Sequence, residues 1–409
     1  MTIVVHPGDS LTRRQRLVYV IVLGALTALG PFTIDLYLPS FPSVEAEFLT
    51  TEAVVQLTLS ATIVGFALGQ LVIGPWSDTV GRRVPLIVAT AVHVLASIGV
   101  AVAPNVELLG ALRLLQGIGA AGGGVVAMAT VRDLFGGLPL VRMLARLGAV
   151  SGLAPILAPV IGSQLLLLFP WRGIFWFLAA YGLVVLTVSA FFIVETLPRE
   201  RRADAGHSSA RERYRALFSD RVFVGAALVA GMTFSGLFAY LSSSSFLFQD
   251  VYGLDAQQYG VLFAVNSLGV VTGIQTSSRL ARILPPQWIL LGAVSGMFLS
   301  AATIVTLDAA HAGLWGILVP LWFFICSCGF AFPCQQVLAL ANHGGEAATA
   351  ASLMGAVNFG LAGLLSPVVG LFGITNAIPM ATMQLCTSTV SLLVIALVIR
   401  PRSVPALSR

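Results

Sequence analysis

Asp35 and Arg113 are the charged side chains that stand deep inside long apolar runs. The first lies in GPFTIDLYLPSFP, Gly30 to Pro42, and the second in LLGALRLLQGIGAAGGG, Leu108 to Gly124. A charge in a membrane-crossing segment is expensive, so such residues usually mark an ion or substrate path. The two runs cross in opposite directions. At 1.5 Å per residue, each charge lies about 10 Å in from the same membrane face. The matched depth predicts one shared cavity, with Asp35 as a titrating proton carrier and Arg113 as its electrostatic partner. The competing reading is a static ion pair that fixes helix packing. His93, in a third apolar run, reads as hydrogen-bonded structure.

Other chemistries find little purchase. Cys326, Cys328, Cys334 and Cys386 have no histidine among them at ligand spacing and read as small packing residues. No paired acids or Ser/His dyad share a span, and no G-x-x-x-x-G-K-[ST] loop is present, so neither an enzyme nor a directly ATP-driven device is expected. No cofactor and no metal is implied.

The elements that must hold Asp35 and Arg113 follow from composition. Of 409 residues, 57% are hydrophobic and 10% charged, against roughly 25% charged in ordinary soluble domains. Lipid must solvate much of this surface. Runs of about 20 residues suffice to cross the hydrocarbon. Candidates fall at 16–41, 53–75, 84–103, 106–131, 139–168 and 172–194, then at 221–248, 257–280, 287–307, 311–340, 346–373 and 377–400. The expected fold is all-α, twelve transmembrane helices in two six-helix bundles, residues 1–198 and 221–409. A charged cytoplasmic linker at 199–220 joins them. Nucleic acid is not an expected partner, because the basic residues sit in short loops between spans.

Those basic residues also orient the chain. All 22 are arginines. With the N-terminus inside, every one except Arg113 and Arg172 falls on the cytoplasmic side, while Glu45, Glu47, Glu52, Glu107, Asp250, Asp255 and Asp308 fall outside. Both termini are then cytoplasmic. Arg13, Arg14 and Arg16 precede an apolar run too long for a signal peptide, so the first helix is expected to stay uncleaved.

Several motifs carry a family resemblance. GPWSDTVGRR, Gly74 to Arg83, resembles the signature loop of the major facilitator superfamily, through Gly74, Asp78, Gly81, Arg82 and Arg83. In that loop glycines permit a tight turn, and Asp78 pairs with arginines to form a cytoplasmic gate. The equivalent stretch after the eighth span, GIQTSSRLARILPP, keeps Gly273, Arg279 and Arg282 but lacks the aspartate. Arg113, Gln116, Gly117 and Gly119 resemble the R-x-x-Q-G-x-G of the fourth span, whose arginine the family associates with proton coupling. The run Gly122 to Gly124 reads as close backbone packing. GAVSGLAPILAPVIGS resembles the antiporter motif of the drug-exporting branch, through Gly152, Pro155, Pro159 and Gly162. Its doubled Ala-Pro is similar to the bicyclomycin and chloramphenicol resistance branch (Bcr/CflA). IDLYLPSFP and VRDLF, Val131 to Phe135, resemble the same branch, with Asp35 as the one acid in its span.

The resemblance implies proton-coupled efflux of small amphipathic drugs by alternating access, in the bacterial inner membrane, by a monomer. The alternative is a proton-coupled uptake symporter for a small metabolite. Tyr37, Phe234, Phe238, Tyr240, Asn266, Gln335, Gln336, Asn358 and Phe359 are candidates to line the substrate cavity, being aromatic or amide groups in apolar spans. The serine run in LSSSSFLF, Leu241 to Phe248, reads as helix packing.

Overall fold

The computed structural model describes residue 8 and residues 11–197, 210–341, 343 and 347–404. Twelve of its helical spans are long and apolar enough to cross a membrane. The first half comprises α1 (Arg13–Asp35), a 3₁₀ turn (Leu38–Ser40), α2 (Phe41–Phe48), α3 (Glu52–Val80), α4 (Arg83–Ala101), α5 (Val106–Leu134), α6 (Gly137–Leu168) and α7 (Arg172–Phe192). After it come α8 (Ala210–Ser219), α9 (Arg221–Phe246) with a π-helical extension to Val251, α10 (Ala256–Leu280), α11 (Pro286–Ala309), α12 (Gly313–Leu340), α13 (Ala347–Leu365) and α14 (Ile378–Val394). The linker expected at 199–220 is described only from residue 210. Arg199, Arg201, Arg202 and Arg409 lie outside the described residues, as do the side chains of Arg211 and Arg213.

The first span departs from a plain helix. Proline lacks a backbone donor and disfavours helical geometry in the residue before it. Pro39 and Pro42 therefore interrupt the run, and α1 ends at Asp35 itself before the chain turns into α2. Asp35 thus stands at a helix break, where the sequence alone placed it seven residues short of a span end.

Backbone-to-backbone glycine crossings lock α3 to α5. A Cβ on Gly65 would lie 2.1 Å from the Leu114 carbonyl oxygen, and one on Gly117 would lie 2.1 Å from that of Thr62. Helices approach this closely only where no side chain intervenes. The second half repeats the device. Gly273 meets the Cys326 oxygen at 2.1 Å and Gly329 meets that of Val270 at 2.3 Å, joining α10 to α12. Each pair has the same three-residue spacing, so α10 repeats α3 and α12 repeats α5. This register corrects one expectation. Gly273 is the counterpart of Gly65 in the bundle interior, not of Gly74 in the signature stretch. Helix α3 runs fifteen residues past Gly65, to Val80, whereas α10 runs seven past Gly273, to Leu280. The second half lacks the two turns that would carry a matching loop. By the same register Ile325 stands where Arg113 stands in the first half.

The two halves meet mainly through α3 against α13 and α6 against α10, with the 3₁₀ turn Leu38–Ser40 seated on α9 and α10. We call the face carrying Arg13 and Ser403 the terminal face and the opposite one the distal face. Near the distal face the Gln249 side chain donates to the Pro39 carbonyl (3.1 Å), Gln257 to that of Ser163 (3.1 Å), Gly370 N–H to Gln56 Oε1 (3.1 Å) and Ile374 N–H to Glu52 Oε2 (2.7 Å). The Ser60 and Ser366 hydroxyls meet at 3.3 Å. The contact continues inward through Phe66 and Phe359 to Gln70 and Gly355.

Candidate functional site

Arg113 is fully buried on α5 and is held by the broken end of α1. Four carbonyls at a helix C-terminus lack intrahelical donors. Arg113 Nη1 donates to one of these, Thr33 O, at 2.9 Å, and to Gln116 Oε1 at 2.7 Å. Its guanidinium lies 4.7 Å over the Tyr37 ring and 5.5 Å from that of Phe175, so aromatic faces replace water around the charge. Nε and Nη2 have no hydrogen-bond partner. The contacts continue from Gln116 Nε2 to Ser97 Oγ (2.8 Å), with His93 Nδ1 3.4 Å from the Gln116 carbonyl. Tyr37 shares a hydrogen bond with Thr58 at 3.2 Å.

The Asp35 carboxylate points elsewhere. It is buried, its Oδ1 has no partner, and it makes no ion pair with Arg113. The two residues share a depth, since Arg113, from α5, bonds the backbone of α1 two residues before Asp35, but their side chains form no ion pair. The turn that follows Asp35, Leu38–Ser40, rests on α9 and α10 of the second half. Its neighbours are therefore partly those of the facing bundle, which a depth count along single helices does not reveal.

Toward the middle of the molecule, Phe66, Phe234, Phe238, Phe332 and Phe359 form one aromatic cluster across the seam. Phe359 is 5.2 Å from Phe66, 5.3 Å from Phe234 and 6.4 Å from Phe238, and Phe234 is 5.6 Å from Phe332. Three of these rings, Phe234, Phe238 and Phe359, are among the sequence candidates. Phe66 and Phe332 were not singled out, because an apolar span gives no sign of which of its rings faces the seam. Asn358 adds a buried Oδ1 without a partner. Other candidates are placed differently. Tyr37 is packed within the first half under Arg113, Tyr240 accepts from Asn266 Nδ2 at 3.0 Å, Gln335 donates to Thr233 at 2.8 Å, and Gln336 is exposed. In the serine run, Ser244 pairs with the Tyr259 hydroxyl at 2.8 Å and Ser242 donates to Ser366 O at 3.4 Å.

The signature stretch from Gly74 to Arg83, expected as a loop, is helical through Val80 as the end of α3, turns only at Gly81 and Arg82, and builds a charge cluster at the terminal face. Arg82 is 6% exposed and donates to Asp78 (2.5 Å), Asp133 (2.7 Å) and Ser77 (2.9 Å). Burial alone would push the Arg82 pKa down. The hydrogen bonds and charges of Asp133 and Asp78 outweigh it and raise the value above the ordinary one. Glu195, just past α7, accepts from the backbone N–H groups of Arg82 (2.8 Å) and Arg83 (3.2 Å). Arg83 reaches the Ala190 carbonyl at 2.8 Å. Gly81 has φ +110°, which a side chain would strain, whereas a Cβ on Gly74 would make an ordinary 3.6 Å contact with Val125. The partners named here all belong to the first half. Asp133 and Glu195 were not foreseen in this role; the only signal was an acid at each of two span ends.

On α6 the proline motif runs along a helix that stays unbroken through Pro155 and Pro159. Gly162 packs on the Leu36 carbonyl (2.3 Å to an added Cβ), one residue from Asp35, and Pro159 and Ser163 pack on Gly260 of α10. Gly152 faces open space. The motif's last two turns thus touch both the break in α1 and the second half.

Comparison with known proteins identifies the family and the fold. The model of the family described as Major Facilitator Superfamily matches residues 22–367. The chain is 34% identical over 381 residues to an uncharacterized MFS-type transporter, YdgK, of Bacillus subtilis (strain 168), covering 93% of this chain and 94% of that one. It is 28% identical over 375 residues to a bicyclomycin resistance protein homolog of Haemophilus influenzae, covering 91% and 94%. It is 29% identical over 384 residues to the multidrug resistance protein MdtL of Escherichia coli O157:H7, covering 93% and 96%. Among solved structures, a bacterial homolog of the human lysosomal transporter Spinster, inward-facing and unoccupied, superposes with a TM-score of 0.75 at 15% identity, over 97% of this chain and all of that one. That likeness concerns the fold.

Proposed function

The chain belongs to the major facilitator superfamily, and on that premise we propose that it exports small amphipathic, drug-like molecules in exchange for protons by alternating access. The observation that carries the reading is Asp35. It is a buried carboxylate at a helix break, beside the seam, with an oxygen that no residue satisfies. Burying a charge without a partner is costly, so the proton occupancy of Asp35 is coupled to which conformation the seam adopts and which face reaches the carboxylate. Arg113 keeps the broken end of α1 in place and leaves Asp35 free to titrate.

The rest of the cycle is competition. Substrate enters the aromatic cluster around Phe66, Phe234, Phe238 and Phe359 while Asp35 is ionised; opening at the distal face releases substrate and admits a proton; the protonated protein resets. The apolar, aromatic lining suits flat amphipathic molecules rather than sugars, which would call for more buried hydrogen-bonding groups. Resistance names among the relatives support the same direction. The arginine distribution supports termini in the cytoplasm, and the bacterial relatives support residence in the inner membrane. In that orientation the seam, joined near the distal face, is closed to the outside. The protein acts as a monomer on small molecules and protons.

The test is transport in everted membrane vesicles with an acidified lumen. Chloramphenicol, bicyclomycin and ethidium serve as probes. Substrate-evoked alkalinisation of the lumen in wild type, lost in Asp35→Asn, is the expected result. Proton entry together with substrate in right-side-out vesicles would establish uptake symport instead. Proton-coupled transport by Asp35→Asn equal to wild type would overturn the role of Asp35.

A further inference from the structure

The ring cluster in the middle of the seam has an amide beside it on each bundle. On the first half, Gln70 stands one turn past Phe66 on α3. Its side chain crosses the seam to lie on Gly355 of α13, where an added Cβ would run into Oε1 and come within 3.2 Å of Cδ. On the second half, Asn358 directly precedes Phe359, whose ring is 5.2 Å from that of Phe66. Asn358 Oδ1 is buried and has no hydrogen-bond partner among the described residues. The faces of α13 show where Asn358 lies. Gly355, Phe359 and Gly363 meet α3, and Val357 and Leu361 meet Gly231 of α9. At 3.6 residues per turn, Asn358 falls on the edge between those two faces. Met354 and Ala362 share that edge and are buried, whereas Leu364, on the far side of the α9 contact, is exposed to lipid. The edge of Asn358 is therefore the inner one. Ala351, two turns nearer the terminal face on the same edge, is exposed, so the edge runs out toward that face. The helices that carry the rings bear charged residues only near their ends, Glu52 and Asp78 on α3 and Arg221 on α9, and α12 and α13 bear none.

We propose that Gln70 and Asn358 are the specificity-determining pair of the ring cluster, and that they select neutral, ring-bearing molecules with a hydroxyl or carboxamide head. The inference rests on the antiport reading and names the substrate class of its site. A carboxamide side chain offers one acceptor and two donors. That set matches a hydroxyl or an amide and holds nothing to neutralise a permanent charge. The rings take the flat apolar body, and the head lies toward the terminal side, between an amide of each bundle. A head held by both amides ties α3 to α13 in the middle of the seam, so binding itself draws the bundles together. Gly355 is a positioning residue, because only a residue without a side chain lets Gln70 reach across.

Equilibrium binding to the full chain in lipid nanodiscs tests this without a proton gradient. Radiolabelled chloramphenicol is the neutral probe, with hydroxyl and amide groups. Tetraphenylphosphonium is the control, a permanent cation with rings and no hydrogen-bonding group. Gln70→Met and Asn358→Leu keep the bulk and remove the amide. Each should weaken chloramphenicol binding about five- to tenfold, the share of one neutral hydrogen bond, and leave tetraphenylphosphonium within about twofold of wild type. Gly355→Ala displaces only the far end of the flexible Gln70 side chain. It should weaken chloramphenicol in the same way and add nothing to Gln70→Met, because the two act through one amide. Should Gln70→Met fold poorly, Gly355→Ala carries the same test. Equal losses for both probes, as from amides that only pack the seam, overturn the proposal. So does unchanged chloramphenicol binding in the folded variants, and so does a wild type that binds tetraphenylphosphonium alone or neither probe. Amide-dependent binding alongside transport indifferent to protons leaves this inference standing and sinks antiport. Proton-linked transport alongside binding indifferent to both amides does the reverse.

Discussion

Lysine in place of Arg113 keeps the positive charge and removes the fork. The guanidinium reaches Thr33 O and Gln116 Oε1 together while lying flat over Tyr37, and a lysine ammonium offers neither the plane nor the span. Each lost bond to a charged donor is worth about 1.5–3 kcal/mol in a buried setting. Arg113→Lys should therefore lower thermal stability in detergent and reduce transport at least about tenfold, with Arg113→Gln worse still. Arg113→Lys with wild-type transport and melting temperature would show that only the charge matters. At this scale the sequence told which residues would be charged at depth, and their shared level was legible by counting. The directions in which Asp35 and Arg113 leave their helices were not. Direction follows from the break at Asp35 and from which helix packs alongside, and both are tertiary facts. The same applies to Glu195, an acid just past a span end that turns out to bind the backbone of Arg82 and Arg83.

The twin glycine crossings show what an element needs from its neighbour. A Cβ on Gly117 would sit 2.1 Å from Thr62 O and one on Gly329 would sit 2.3 Å from Val270 O, in each case against helix backbone that cannot rotate aside. Gly117→Ala and Gly329→Ala should each force the helices apart and destabilise the protein by about 1–3 kcal/mol, the usual range for overpacking. Gly124→Ala, with nothing within 4 Å, is the control and should be neutral or better. Folded yield and thermal unfolding after detergent extraction measure all three. Equal stability of Gly117→Ala and Gly124→Ala would show that the α3–α5 spacing is not fixed by backbone contact. Spans and their ends were legible here, because hydropathy and proline act locally. Gly117 drew notice within a motif and Gly273 only as a supposed match to the signature stretch, while Gly65 and Gly329 drew none. A glycine's meaning depends on what it faces, and apolar sequence does not encode pairing. The run Gly122 to Gly124, read as packing, divides accordingly. Gly122 and Gly123 meet neighbours, and Gly124 does not.

For the molecule as a whole, the question is whether the seam between the halves opens and closes as a unit. The distal contacts between α3 and the segment that follows α13 run in antiparallel order, with Glu52, Gln56 and Ser60 meeting Ile374, Gly370 and Ser366. Steps of four residues on α3 place them on one helical face, so they must part together if the bundles rock. The charge cluster around Arg82 does not cross to the second half through the partners described. Through its described partners, that cluster fastens the first bundle's terminal end. Ser60 and Ser366 give the means to test the rocking. Their hydroxyls are 3.3 Å apart, so cysteines there should reach disulfide geometry with little backbone movement. In a Cys386→Ser background, which removes the exposed native thiol, Ser60→Cys/Ser366→Cys should cross-link under mild oxidation. Transport should stop, while substrate added from the terminal face still binds. Reduction should restore transport, because only the distal opening was blocked. Each single variant should transport whether oxidised or not. Full transport by a protein shown to be cross-linked would mean that α3 and α13 stay together through the cycle, and that the path for substrate lies elsewhere than between the halves.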